Sequence, residues 1–321
     1  MITQIGHGTD TGKKRRRNED EYVVEPPLFA IADGMGGAQA GELASSLAAG
    51  AVRDAGAGSG ERQVSELIQE ANRRVYQRSS QDASASGMGT TMTVALVEDG
   101  AVVFGHVGDS RAYLIRDGRL EQVTEDHSLV AELVRSGKLS PEEAETHPQR
   151  SVITRALGTD PDVDVDTFSV PTQAGDLFML CSDGLTSMVE DEAILEATEK
   201  HRHDLQAAVK ALIRAANKGG GEDNITVVLF EIGDGAGEPL EETAQYPVVG
   251  ADGDGDGEVD EDTIDEVDRV PAVDTMVVSP GHVQLPQRDR GRTLRNRLLA
   301  FALIVIALAT VVIVVLTIRG R

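Results

Sequence analysis

Apolar positions along this chain fall into short dense runs separated by turn residues and by longer segments of helical pattern. Runs rich in Val, Ile, Leu or Phe predict strands at 21–25, 28–32, 90–98, 101–108, 111–116, 164–169, 176–182 and 224–232. Helices are predicted at 38–55, 62–79, 127–137, 141–146, 190–199 and 203–217. The fourth of these carries a start signal: Ser140 as N-cap, Pro141 at the first helical position and Glu143 three residues after the cap. Helices come in pairs between runs of adjacent strands, so a doubly wound parallel sheet does not fit. An α+β fold with antiparallel sheets covered by helices does, and residues 1–232 read as one such unit.

The pattern changes after that unit. Residues 233–287 are acidic, rich in Gly and Pro and without periodicity, which reads as a disordered linker. Residues 288–297 form a basic segment containing Arg288, Arg290, Arg292, Arg295 and Arg297. Residues 298–318, LLAFALIVIALATVVIVVLTI, carry no charge, and at about 1.5 Å per residue they reach about 31 Å as a helix. A transmembrane helix is expected there. The excess of arginine before it, against Arg319 and Arg321 after it, keeps the N-terminal side in the cytoplasm. The first twenty residues lack the apolar core of a signal peptide, in keeping with a cytoplasmic domain on a single-pass membrane anchor.

Charge and cysteine content remove several function classes. The chain has 54 acidic and 30 basic residues, a formal net charge of −24. No basic patch is visible in the folded part, which argues against nucleic acid. A single cysteine leaves neither a disulfide framework nor a cysteine-based zinc cluster.

Candidate chemistry lies where the apolar runs stop. The run Leu28–Ala32 ends at Asp33 and Gly34. Taken alone, Asp-Gly is a turn dipeptide. The run 102–107 ends at Gly108-Asp109-Ser110, and the run 176–181 ends at Ser182-Asp183-Gly184. Asp223 immediately precedes the last predicted strand, and Asn18-Glu19-Asp20 leads into the first. Five independent turns would explain this, and so would one site. Converging carboxylates repel one another unless cations neutralise them, and an all-oxygen donor set selects hard ions such as Mg²⁺ or Mn²⁺.

The ordered set TDTGKKRRRNED (9–20), ADGMGG (32–37), GTT (89–91), GDSR (108–111), TRALG (154–158), SDG (182–184) and DN (223–224) resembles the protein phosphatase 2C (PPM) family, metal-dependent Ser/Thr protein phosphatases, in its bacterial form. The resemblance covers about residues 5–231. It implies a four-layer α-β-β-α sandwich, two antiparallel sheets between helix layers, with the metals at one edge. By the same resemblance Asp33 is the aspartate bridging two Mn²⁺ or Mg²⁺ ions, and Gly34 supplies a carbonyl ligand. Asp183 and Asp223 complete one metal's set, Glu19 serves the other, and Asp20 stands behind Glu19. Asp109 matches the ligand of a third, weaker metal site that shares Asp183. Arg15 matches the phosphate-binding arginine, with Arg16 and Arg17 beside it as bystanders or competitors for the role. A water or hydroxide bridging the two ions would attack the phosphoryl group. The full layout also resembles membrane-anchored actinobacterial members that oppose Ser/Thr protein kinases, which makes phosphorylated proteins and those kinases the expected partners.

One position departs from the family. Eukaryotic relatives place a histidine after the Asp-Gly pair, proposed as general acid, and this chain has Met35. The leaving group must then be protonated otherwise, metal-bound water being one source. Residues 127–150 look like the family's mobile flap, where substrate choice would reside.

Other features point elsewhere and are set aside. Cys181 lacks the arginine six residues on that a cysteine-dependent phosphatase needs, since residue 187 is Ser. His106 and His127 read as structural. Residues 252–260, DGDGDGEVD, match the first nine positions of a calcium-binding loop, but position twelve is Thr263 and no amphipathic helices flank it. A solvated acidic tether accounts for them better. A phosphopeptide-binding module that lost the reaction is the rival function. The presence of Asp33, Asp109, Asp183 and Asp223 together favours the enzyme.

Overall fold

A computed structural model of the chain describes residues 1–36, 40–55, 58–233 and 276–277. Two antiparallel sheets dominate it. One has β1 (Ile2–Asp10), β12 (Ile225–Ile232), β11 (Leu177–Cys181), β7 (Arg111–Arg116) and β8 (Arg119–Gln122), in that spatial order. The other runs β10 (Asp166–Pro171), β6 (Ala101–Val107), β5 (Met92–Glu98), β3 (Leu28–Met35) and β2 (Asp20–Glu25), with the short β4 (Gly89–Thr90) paired to β3.

Alternation along the strands builds the layers. Phe29 and Ile31 of β3 face the other sheet, with Phe104, Leu114, Phe178, Leu180, Val228 and Phe230, and the rings of Phe29 and Phe230 stack 4.2 Å apart. The intervening residues Ala30 and Ala32, with Met92, Val94 and Val103, pack outward against α1 (Ala40–Arg53) and α2 (Gly60–Gln81). On the opposite side Met179, Val227 and Leu229 meet α5 (Asp183–Thr186), α6 (Asp191–Lys200) and α7 (Leu205–Gly219). Central strands are therefore apolar on both faces and read as unbroken runs although their sheets are antiparallel. The layers follow the order helix, sheet, sheet, helix.

Differences from the sequence-based expectation have local causes. The strand expected to stop at Ala32 continues through Asp33 and Gly34 to Met35, because β4 pairs Gly34 with Thr90 and Met35 with Gly89. Strand β1 was not anticipated. The segment 127–150 contains α3 (Leu129–Arg135), capped by Ser128, and α4 (Pro141–Glu145), and neither helix has a buried residue. The capping box at α4 is present in both directions, Glu143 N–H to Ser140 Oγ and Ser140 N–H to the Glu143 carboxylate. Val152–Ile153 forms β9, and Met276–Val277, inside the segment read as a linker, runs parallel to it as β13. Among the described residues no helix is long and apolar enough to cross a membrane. The span expected at 298–318, the basic segment at 288–297 and the calcium-loop decoy at 252–263 lie outside the described residues.

Candidate metal centre

All the predicted acidic positions lie at one end of the sandwich, because antiparallel pairing brings strand ends and beginnings together. Asp20 opens β2 directly opposite Asp33 on β3. The end of β6 leads into Gly108 and Asp109 before β7, Asp183 follows β11, and Asp223 precedes β12. Between the two sheets, Ser182 Oγ donates to Asp20 Oδ2 at 2.8 Å and Thr226 Oγ1 donates to the same oxygen at 2.6 Å.

Backbone approach is unusually tight here. A Cβ on Gly34 would stand 2.1 Å from Gly41 O and 2.6 Å from Glu19 O, so no larger residue fits without moving α1 or the Glu19 loop. Gly34 N–H in turn donates to Glu19 O at 3.1 Å. Gly34 thus serves close approach within a strand, and the turn reading of Asp33-Gly34 does not hold. Asp33 is fixed on both sides of its peptide: its N–H donates to Thr91 Oγ1, while Thr91 N–H and Thr90 Oγ1 donate to its carbonyl.

Electrostatics record the crowding. Burial, reinforced by the charges of Asp20, Asp183, Asp223 and Asp109, holds the Asp33 carboxyl well above the ordinary carboxylate range. Burial does the same for Asp183, with Asp109, Asp223 and Asp20 adding to it. Asp109 is pushed up to about 7, first by burial and then by the Asp126 charge. Burial raises Asp20 to about 6 against the lowering effect of the Thr226 and Ser182 hydroxyls. Two carboxylate oxygens, Asp20 Oδ1 and Asp183 Oδ1, are buried without any hydrogen-bond partner. Orphaned anionic oxygens among mutually repelling carboxylates are the donor set a hard divalent cation satisfies. As the side chains stand, no three acidic, His or Cys groups among the described residues close to the spacing of a shared ion. The residues fit Mn²⁺ or Mg²⁺.

Arg15 is the arginine that turns into this end. Its Nη2 lies 2.7 Å from Asp223 Oδ2, whereas Arg16 and Arg17 are exposed and Arg17 reaches Glu42 at 3.5 Å. Sequence reasoning gave no role to Asn224, which sets this loop. Glu19 N–H donates to Asn224 Oδ1 at 2.7 Å, and Asn224 Nδ2 donates to Thr11 O at 3.0 Å and Arg17 O at 2.9 Å. The Asp-Asn pair before β12 was the only signal for it. Gly41, whose Cβ would stand 2.8 Å from the Glu19 carboxyl carbon, was likewise missed.

The set-aside residues have other uses. Burial pushes the Cys181 thiol up to about 12, so it is no nucleophile. Met35 packs with Ile153 and Ala156 in a small apolar cluster, which leaves no proton donor at that position. His106 is fully buried and held neutral, its imidazole lowered to about 3 by burial and by neighbouring His127.

The sequence pattern of the protein phosphatase 2C family matches residues 8–229. This chain belongs to that family. It is 42% identical over 236 residues to the serine/threonine phosphatase stp of Listeria innocua, covering 70% of this chain and 93% of that one. Among solved structures it is similar to the serine/threonine phosphatase PstP/Ppp of Mycobacterium tuberculosis, with a TM-score of 0.69 at 38% identity over 73% of this chain and all of the other. A PstP catalytic domain in complex with two manganese ions gives a TM-score of 0.67 at 36% identity, covering 73% of this chain and 99% of that one. The family's two-sheet fold is the one described above.

Proposed function

We propose that this chain dephosphorylates phosphoserine and phosphothreonine in proteins, with Asp33 at the centre of its metal site and Arg15 on the substrate phosphate. It is a metal-dependent protein serine/threonine phosphatase that uses Mn²⁺ or Mg²⁺. The observation that carries the residue assignment is the convergence of Asp33, Asp109, Asp183 and Asp223 on one another's charge at a single end of the sandwich.

Asp33, Asp183 and Asp223 would hold one ion, and Asp33, the Gly34 carbonyl and Glu19 the other, with Asp109 and Asp183 serving a third, weaker position. The ions, when bound, lower the pKa of the attacking water and neutralise the phosphoryl oxygens. The rest falls to the protein. The Arg15 guanidinium, tethered at Asp223, presents a planar fork to the non-bridging phosphate oxygens. Asp20, held by Ser182 and Thr226, fixes the start of β2 and so the position of Glu19. The Thr90 and Thr91 hydroxyls hold the Asp33 peptide still, so the carboxylate need not be ordered at each turnover. Neither Met35 nor Cys181 supplies the leaving group's proton.

Residues 298–318 would anchor this domain to the cytoplasmic face of the cell membrane, with Arg288–Arg297 against the inner leaflet and residues 233–287 as tether. Their length, lack of charge and arginine asymmetry support that reading. Held there, the enzyme would oppose Ser/Thr protein kinases acting on the same phosphoproteins. Hydrolysis of a phosphothreonine peptide with and without Mn²⁺ tests the activity, and Asp33→Ala should abolish it while the domain stays folded. Near-normal turnover by that variant would remove Asp33 from the mechanism. For the anchor, a chain ending at Ile232 should leave the membrane fraction and keep full activity on small phosphate esters. Loss of that activity would make the tail part of the folded enzyme.

A further inference from the structure

His127 joins the carboxylate end of the sandwich to the start of α3. Its N–H donates to Gly108 O at 2.7 Å, and Gly108 N–H donates back to His127 Nδ1 at 3.0 Å. Its carbonyl accepts from Thr154 N–H at 2.8 Å, and the next residue, Ser128, caps α3. On the far side of the ring, Nε2 lies 3.0 Å from Asp166 Oδ2. Arg155 Nη1 sits 2.5 Å from Asp166 Oδ1 and 2.9 Å from Nε2.

The backbone contact selects the tautomer. A backbone N–H can only donate, so Nδ1 must present its lone pair to Gly108, and the ring hydrogen is on Nε2. Nε2–H then donates to Asp166 Oδ2, and Arg155 Nη1 donates to Oδ1 of the same carboxylate. In this tautomer the Arg155–Nε2 approach sets two donors side by side and is not a hydrogen bond. Gly108, with φ of +116°, is the residue before buried Asp109, and a Cβ there would stand 2.5 Å from Thr91 Cβ. The path from Asp166 to Asp109 therefore runs through the His127 ring and the pair of hydrogen bonds between His127 and Gly108, onto a turn with no room for a side chain at Gly108.

We infer that His127 is a positioning residue: Asp166 holds it in the Nε2–H tautomer, and it locks the Gly108–Asp109 turn and the start of α3 into one unit. It thereby sets where the Asp109 carboxylate meets a cation. The inference rests on the reading of Asp109 as ligand of the weaker metal position. A histidine that only fills core volume would contribute stability and nothing else.

Asp166→Asn separates the two roles, because its side chain is 41% exposed and its loss should leave the fold intact. An asparagine amide turned toward Nε2 favours the opposite tautomer, which sets Nδ1–H against Gly108 N–H, donor against donor. The measurement is a calorimetric Mn²⁺ titration of the full chain, together with kcat and KM on p-nitrophenyl phosphate and thermal unfolding. Asp166→Asn is expected to weaken the weakest Mn²⁺ site about tenfold and lower kcat about tenfold, as loss of a partner behind a metal ligand commonly does, with KM nearly unchanged. The chain should still unfold in one cooperative transition, its unfolding temperature lowered by the lost ion pair and the opposed donors. His127→Asn, whose Oδ1 can still accept from Gly108, should recover part of what His127→Ala loses. Asp109→Asn should lose the weak site, and adding Asp166→Asn to it should cost nothing more. If Asp109→Asn loses the weak site while Asp166→Asn and His127→Ala bind Mn²⁺ and turn over as the parent does, the inference is overturned and the Asp109 reading stands. If Asp109→Asn itself binds Mn²⁺ like the parent, both are overturned.

Discussion

Asp20 and Asp33 face each other directly across the β2–β3 pair, two acids at a position where a sheet ordinarily avoids like charges. The structure tolerates the pair by burying Asp20 between two hydroxyl donors and leaving Asp33 among three further carboxylates. Burial of so many carboxyls together costs stability at this end of the sandwich, and the consequences are measurable.

Without metal, acidification should stabilise the protein. Burial pushes Asp20 up to about 6 and Asp109 up to about 7, against 3.8 ordinarily, and raises Asp33 and Asp183 as well. The folded chain thus keeps protons that the unfolded chain has lost, and stability falls as pH rises from about 4 to 7. His106 opposes this: neutral in the fold down to about 3, it lets the unfolded chain bind a proton below 6.5, and its share is lost on acidification. Four carboxylates outweigh one imidazole. In EDTA the unfolding temperature should be higher at pH 5.5 than at pH 7, and saturating Mn²⁺ should cancel or reverse the difference. A higher value at pH 7 in EDTA would show that the carboxylates are not crowded.

Arg15 should act on substrate binding. A charge-assisted hydrogen bond contributes roughly 1.5–3 kcal/mol, so Arg15→Ala should raise KM for a phosphate ester roughly ten- to hundredfold. Arg16→Ala and Arg17→Ala should change little, since both side chains are exposed. Equal effects from all three would make the arginine run a general electrostatic attractor. Steady-state kinetics at saturating Mn²⁺ distinguishes these outcomes.

Asn224 should matter to both stability and kinetics. Its side chain satisfies Glu19 N–H, Thr11 O and Arg17 O, so Asn224→Ala leaves three backbone groups without that partner, at about 3 kcal/mol. Denaturant unfolding measures the loss, and KM should rise with it because the loop carrying Arg15 is released. An unchanged KM would show that the loop is held by other contacts.

Gly34→Ala tests the close approach of β3 to α1 and the Glu19 loop. With backbone atoms 2.1 and 2.6 Å from the new methyl, the substitution should cost about 3 kcal/mol or more. A variant as stable as the parent would mean that α1 shifts freely.

Much of this was legible in the sequence, for identifiable reasons. The central strands carry apolar residues on both faces, so Phe29–Ala32 and Leu177–Cys181 stood out as unbroken runs, and the acids at their ends stood out with them. The four-residue motif at Ser140 was enough to place α4. By contrast β1, ITQIGHGTD, escaped notice because Gly6 and Gly8 interrupt its apolar pattern. They are glycines because α7 lies across them: a Cβ on Gly6 would be 2.4 Å from the Leu205 backbone. The choice of Arg15 among three adjacent arginines depends on how Asn224 ties down the loop, and Asn224 is more than 200 residues away in sequence. Contacts of that range leave no local pattern. The same is true of the Ser182 and Thr226 hydroxyls on Asp20.

The central claim is that these carboxylates hold the catalytic ions through Asp33. A calorimetric Mn²⁺ titration of the full chain beside its Asp33→Asn variant tests it most directly, with p-nitrophenyl phosphate hydrolysis followed on the same samples. The parent should bind at least two Mn²⁺ and turn over only when they are bound. The variant should stay folded, bind Mn²⁺ at least about a hundredfold more weakly and show no metal-dependent hydrolysis. A variant whose isotherm and activity match the parent's, or a parent fully active in EDTA, would contradict the account.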